Sequence, residues 1–179
     1  MGRIKSGPLA QLVEQFPLKE KVGGSTPPWP TKFVLMKTYE IIEHTADFGI
    51  KVYGKNLEEL FLNAGRAMFE VMVEETKRKS IFQKEEQKKF LVSKRASGIE
   101  DVFVAWLGEL LYLFDTEGLI MDKTNIQRLD SECIQAEVSG RTFDPGSCRV
   151  KTEIKAVTFH ELEVKQTDRG YQAQVIFDV

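Results

Sequence analysis

The residues of this chain that could do chemistry lie toward its two ends. Asp178 is penultimate, and the carboxylate of Val179 follows it. Two anions this close repel, and a cation between them lowers the cost of holding them together. Oxygen donors of this kind are hard ligands that suit Ca2+ or Mg2+ rather than Zn2+. A third carboxylate from elsewhere would complete a small cation site. The competing reading is a solvated, frayed chain end. Far upstream, His44-Thr45-Ala46-Asp47 puts an imidazole, a hydroxyl and a carboxylate into one polar break between apolar runs. Asp47 there reads either as a site carboxylate at a sheet edge or as an Asx-turn residue after a strand.

Other chemistries find less. His44 and His160 are the chain's two histidines, and a core or edge imidazole explains each as well as a functional one. No serine sits in a nucleophile elbow, neither cysteine has a neighbouring histidine, and no glycine loop of the phosphate-cradling kind occurs. Glu153 and Lys155 alternate on an expected strand, as a solvated polar face would. An enzyme reading survives as a metal-dependent phosphoesterase acting on RNA ends with the same carboxylates. It is disfavoured by the small number of carboxylates, by the lack of a water-activating base beyond His44 or His160, and by the lack of a basic groove. A general chaperone is a third reading, and the sequence lacks the apolar patch it predicts.

The elements that must position these residues follow from periodicity. Tyr39–His44 and Phe48–Tyr53 read as strands. Asn56 with Glu59 makes a capping box for a helix whose stripe, Leu57, Leu60, Phe61, Ala64, Met68, Val71, Met72, runs to about Glu74. Glu75–Lys79 is charged and expected as a loop, and Gln87–Ser93 as a strand. Ser97 and Glu100 form a second capping box. Behind it Val102, Phe103, Trp106, Leu107, Leu110, Leu111 and Phe114 give the broadest apolar face, stopped by Gly118. Strands are expected at Leu119–Met121, Asn125–Leu129, Ile134–Ser139 and Arg149–Val157. A closing hairpin, Leu162–Gln166 with Tyr171–Phe177, turns through Thr167–Gly170. The class is α+β, a mainly antiparallel sheet covered on one face by two long helices.

Composition bounds the partners. The 179 residues fit one domain with a sizeable core. Residues 1–35 hold Arg3, Lys5, Lys19, Lys21 and Lys32 against Glu14 and Glu20, so the body is more acidic than the net charge of -2 suggests. An acidic body argues against direct nucleic-acid binding, which needs Lys and Arg for the phosphates. Cys133 and Cys148 share no metal or redox spacing and are expected as reduced thiols of a cytoplasmic protein. No apolar run approaches the roughly 20 residues of a membrane span.

Residues 1–35 differ in kind. Five of the six prolines fall there, and the shift in composition marks a boundary near Met36. Leu9–Gln15, LAQLVEQ, and Gly23–Thr26, GGST, resemble the D-arm and T-arm of a transfer-RNA gene translated in frame. The expectation is a non-native or disordered extension, a single domain at 36–179 and a natural start at Met36. A codon sequence for Gly7–Thr31 unable to form a cloverleaf would refute it.

Four separated strings, EHTADFGIKVYG, WLGELLYLFDTEGL, TEIKAVTFHELEV and the closing VIFDV, together resemble the archease family. The resemblance covers 36–179. It implies a cytoplasmic activator of the GTP-dependent tRNA-splicing RNA ligase, which joins 3′-phosphate or cyclic-phosphate RNA ends to a 5′-hydroxyl. Such a protein promotes guanylylation and multiple turnover of the ligase and can broaden its nucleotide use. The resemblance also implies a divalent cation, Ca2+ first with Mg2+ or Mn2+ as alternatives, on Asp47, Asp178 and Val179. Glu153 falls on an acidic position tied to activation; His44, Lys155 and His160 complete the activation candidates. Many relatives read Gly-Glu where this chain has Gly140-Arg141, and a basic residue and a histidine where it has Ser147-Cys148. The resemblance therefore implies a differently tuned contact with the ligase.

Overall fold

The computed structural model describes residues 38–43, 48–76 and 87–179, all within the second of two units, Met36–Val179. The expectations for 1–35 and for Lys77–Lys79 therefore lie outside the described residues.

Helix α1 (Leu57–Met72) begins where its sequence predicts. The Asn56 side chain accepts the Glu59 N–H at 2.8 Å. Glu59 reaches back to the Lys55 N–H at 3.0 Å rather than to that of Asn56, so the expected box closes one residue further out. The helix ends at Met72, two residues short of the expectation. Val73 is extended, and Val73–Glu75 forms strand β3. The reason is a partner distant in sequence: β3 pairs with Cys148–Val150, and Lys151 donates its N–H to the Met72 carbonyl at 2.8 Å. A tertiary strand thus satisfies a helix-terminal carbonyl and overrides the helix preference of Glu74.

Helix α2 (Ile99–Glu117) starts differently from its expectation. Its N-cap is Gly98 at φ 139, without a side-chain cap from Ser97. Glu100 is turned instead toward a neighbouring strand, accepting the Val164 N–H at 3.3 Å. Its stop is as read: Gly118 is left-handed, φ 65 and ψ 24, and its N–H returns to the Leu113 and Phe114 carbonyls. The two helices meet through rings. Phe61 and Phe103 stand edge to face at 5.0 Å, and Trp106 donates its indole N–H to the Phe61 carbonyl at 3.0 Å. Phe61, Phe103 and Trp106 are fully buried.

Among the described residues every strand pairing is antiparallel, and the pairs fall into three sheets, the largest of five strands. With β1 at Tyr39–Glu43, β2 at Phe48–Gly54, β8 at Ala156–Val157, β9 at Glu163–Thr167 and β10 at Gly170–Asp178, the largest runs β1-β2-β10-β8, with β9 also on β10. A three-stranded sheet orders β4 (Gln87–Arg95), β6 (Cys133–Thr142) and β5 (Leu119–Leu129) as β4-β6-β5. The third is β3 with β7 (Cys148–Val150). The two strands expected between Leu119 and Leu129 are one, bent by register shifts at Met121/Lys123 and Ile126/Arg128. Gly140 of β6 lies so close to β5 that a Cβ there would run into the Ile120 carbonyl. The closing hairpin turns on Asp168-Arg169 alone, shorter than expected, because Thr167 pairs directly with Gly170.

One apolar core joins these layers. Ile50 and Val52 of β2, Ala173, Val175 and Phe177 of β10, and Ile134, Ala136 and Val138 of β6 pack with both helices. The fold is α+β, as the patterning predicts.

Candidate functional site

Strand β10 organises the region to which the sequence points. On one edge it pairs with β2, Phe177 opposite Phe48 and Ile176 opposite Gly49. On the other it carries β9 along Gly170–Gln174 and β8 at Phe177–Asp178. Its alternate residues reach the core, and the strand ends in two exposed residues, Asp178 and Val179.

The expected strand Arg149–Val157 is interrupted, which corrects the placement of Glu153 and Lys155. Residues 151–155 connect β7 to β8 without strand pairing. The break comes where the Lys151 and Thr152 N–H groups both turn to the Met72 carbonyl, at 2.8 and 3.5 Å, and beyond it Ile154, 3% exposed, joins the core. Pulling one apolar side chain inward leaves Glu153 and Lys155 exposed on either side of it. Lys155 then binds the end of β10 twice. Its N–H donates to the Asp178 carbonyl at 2.8 Å, and its ammonium donates to the Val179 main-chain oxygen at 3.0 Å. The fold therefore sets its own cation beside the Asp178–Val179 pair.

His160 lies further along the same edge, in the turn Thr158–Leu162 between β8 and β9. It is exposed, with Nε2 3.9 Å from the nearest Glu161 carboxylate oxygen, and its own N–H donates to the Thr158 hydroxyl at 3.3 Å. Glu161, beside it, holds φ 49. The structure thus gathers Lys155, Asp178 and Val179, with Glu153 and His160 along the same margin. His44 and Asp47 lie outside the described residues. The neighbour of the last strand is the second strand, not the first, since β1 reaches β10 only through β2.

The donors in view fit a hard cation in kind. Asp178 offers a carboxylate and Val179 a main-chain oxygen, both exposed, although the Lys155 ammonium already engages the latter. Among the described residues no group of three or more His, Cys, Asp or Glu side chains is arranged to hold a metal ion.

Sequence reasoning did not single out a second polar feature, at Arg141. Its guanidinium bridges Glu75 at 2.6 Å and Asp122 at 3.2 Å, tying the β3–β7 sheet to the β4-β6-β5 sheet. Its buried Nε finds no hydrogen-bond partner. A cavity of about 320 Å3 beside it is lined by Arg66, Glu70 and Met121 among others. Only the departure at Gly140-Arg141 hinted at this. Cys133 and Cys148 are both buried and unpaired by disulfide.

Among the described residues no helix is long and apolar enough to cross a membrane. Residues 39–179 match the model of the Archease protein family (MTH1598/TM1083). The protein archease of Methanosarcina mazei is 38% identical over 147 residues, covering 80% of this chain and 97% of that relative. That of Pyrococcus furiosus is 34% identical over 148 residues, covering 80% of this chain and all of that relative. Among solved structures, the solution structure of Methanobacterium thermoautotrophicum protein 1598 is similar with a TM-score of 0.62 and 33% identity, covering 80% of this chain and 100% of that one. A crystal structure of a Thermotoga maritima archease, described as a possible chaperone, shares the fold at a TM-score of 0.53 and 24% identity over 77% of this chain and 94% of that one. With the family model matched over most of its length and relatives of 34–38% identity, the chain belongs to the archease family.

Proposed function

We propose that this archease is a protein cofactor of the GTP-dependent tRNA-splicing RNA ligase. It promotes guanylylation and multiple turnover of the ligase, broadens its nucleotide use, and works in the cytoplasm without binding RNA itself. The observation that carries the reading is the pairing of β2 with β10. Phe48 follows the EHTAD string and stands opposite Phe177 of VIFDV. That pairing brings two of the strings that resemble the family onto neighbouring strands of one sheet.

Asp47, Asp178 and Val179 are the proposed cation ligands, for Ca2+ first and Mg2+ or Mn2+ otherwise. A bound divalent ion would supply concentrated positive charge beside the ligase's phosphate chemistry. Lys155 contributes by fixing the Val179 oxygen, so that the tip is oriented before any ion arrives. Glu153, His160 and His44 are the remaining candidates for contact with the ligase. The family match lends the phosphoesterase alternative no support.

The test is a multiple-turnover RNA ligation assay with cognate ligase, GTP and a divalent ion, comparing the wild-type protein with Asp178→Asn. Wild type is expected to sustain many turnovers, and the variant to fall to the level of ligase alone with its fold intact. A variant that still sustains turnover refutes the role given to the carboxylate.

A further inference from the structure

The turn between β8 and β9 displays an aromatic ring that the fold does not use. Phe159 is 61% exposed, while Val157 and Leu162 around it pack against the core. Single exposed apolar residues are ordinary on protein surfaces. Leu91 and Tyr112 are such cases, since each lies mid-element on an outward strand or helix face. The backbone that presents Phe159 is not ordinary. Glu161, two residues on, is the one non-glycine position among the described residues with positive φ, at 49°. A residue with a Cβ resists that conformation, and it persists where surrounding bonds over-determine it.

Those bonds are present. The Thr158 hydroxyl donates to the Ile176 carbonyl at 3.0 Å and accepts the His160 N–H at 3.3 Å. The Leu162 N–H closes the turn on the Phe159 carbonyl at 3.3 Å. The Gln174 amide reaches the Glu161 carbonyl and carboxylate, each at 3.4 Å. The turn is thus fastened to β10 on both sides, and the ring is held outward.

Its position adds the second observation. Thr158 bonds to Ile176, two residues before Asp178, so the turn and the Asp178–Val179 tip share one strand edge. They lie roughly 7 Å apart by strand rise. Along the segments that form this edge the exposed Glu153, Glu161, Glu163 and Asp178 outnumber Lys151, Lys155 and Lys165, with Glu163 and Lys165 paired at 2.6 Å. An apolar knob in an acidic field fits a concave apolar pocket rimmed by lysine and arginine.

We propose that Phe159 is a docking anchor that enters such a pocket on the ligase. This rests on the function proposed above and assigns the contact surface, not the chemistry. Docking sets how much protein is needed; the tip sets how fast the saturated ligase turns over.

The experiment titrates the full chain into the multiple-turnover ligation assay as wild type, Phe159→Ala and Phe159→Leu, with melting curves to confirm folding. Phe159→Ala is expected to raise the half-maximal concentration about 30-fold, the scale of a buried aromatic anchor, with saturating turnover unchanged. Phe159→Leu recovers most of the loss, and added salt raises the half-maximal concentration of all three proteins. Three results overturn the proposal. If wild type activates and Phe159→Ala matches it throughout, the anchor is refuted and the function stands. If Phe159→Ala lowers saturating turnover at an unchanged half-maximal concentration, the ring acts in chemistry and not in docking. If wild type leaves ligase turnover unaltered at every concentration, the proposed function falls, and this choice of partner falls with it.

Discussion

The core beneath the helices and the outer edge of β10 are built on opposite terms. In the core, Phe61, Phe103 and Trp106 are fully enclosed, and the one polar group among them, the indole N–H, is bonded. Along the edge, Asp178, Lys155, His160 and Phe159 are exposed, and main-chain bonds to β10 hold their backbone in place. Stability is concentrated in the first region, and displayed chemistry in the second. Each can therefore be altered with little effect on the other.

The sharpest way to break that separation is Trp106→Ala. Removing the indole leaves a large cavity and takes the second hydrogen bond from the helical Phe61 carbonyl, at a cost of about 3–5 kcal/mol, read as a lower urea midpoint. The edge should then fail only through the unfolded fraction, so activation per folded molecule stays as in wild type. If instead activation per folded molecule collapses, the two regions are coupled.

Lys155→Met works in the other direction. It removes the ammonium bonded to Val179 while leaving the Lys155 N–H on the Asp178 carbonyl. Lys155 is exposed, so the stability change should stay below about 1 kcal/mol. The tip, however, should loosen: the Val179 amide order parameter is expected to drop below about 0.6, measured by 15N relaxation. An unchanged order parameter would mean the strand end is rigid without Lys155.

The smallest effect separates two turns. At the β5–β6 turn, Asp130 spends its carboxylate internally, on the Glu132 N–H at 2.9 Å, the Arg128 guanidinium at 2.8 Å and the Cys133 N–H at 3.0 Å. These bonds, the Glu132 N–H foremost, hold its pKa down to about 2 against an ordinary 3.8. A depressed carboxylate pKa contributes stability that is fully present above the unfolded value, and this is lost as pH falls through the folded one. Carboxyl-carbon NMR should accordingly place the Asp130 midpoint near pH 2, with the loss confined to the window below pH 4. A midpoint at the ordinary value would show that these bonds do not hold the carboxylate in solution.

Long periodic segments were the most legible part of the sequence. Asn56 and Gly118 mark helix ends through local geometry, and the stripes between them repeat often enough to be plain. The missed features all depend on partners distant in the chain. The end of α1 at Met72 is decided by β7, and the break after Val150 by the Met72 carbonyl, which takes the Lys151 and Thr152 N–H groups. For the site, Asp178, Val179 and Lys155 were legible as candidates, but their contact arises from the β8–β10 register. Phe159 was hidden by alternation, which groups it with the half-buried Val157 two residues before. Asp47 and His44 fall outside the described residues, and the third proposed ligand rests on the family resemblance.

One feature of the large sheet bears on how the protein is made. Its β10 lies between β2 on one side and β8 and β9 on the other, yet it follows all of them in the chain. Chains emerge from the N-terminal end, and non-local strand pairs form only when both members exist. Until β10 has been made, β1 and β2 can pair with each other but lack the strand that β2 meets in the finished sheet. The edge bearing Asp178, Lys155 and Phe159 therefore assembles late, and a chain cut short before β10 has neither the full sheet nor this edge.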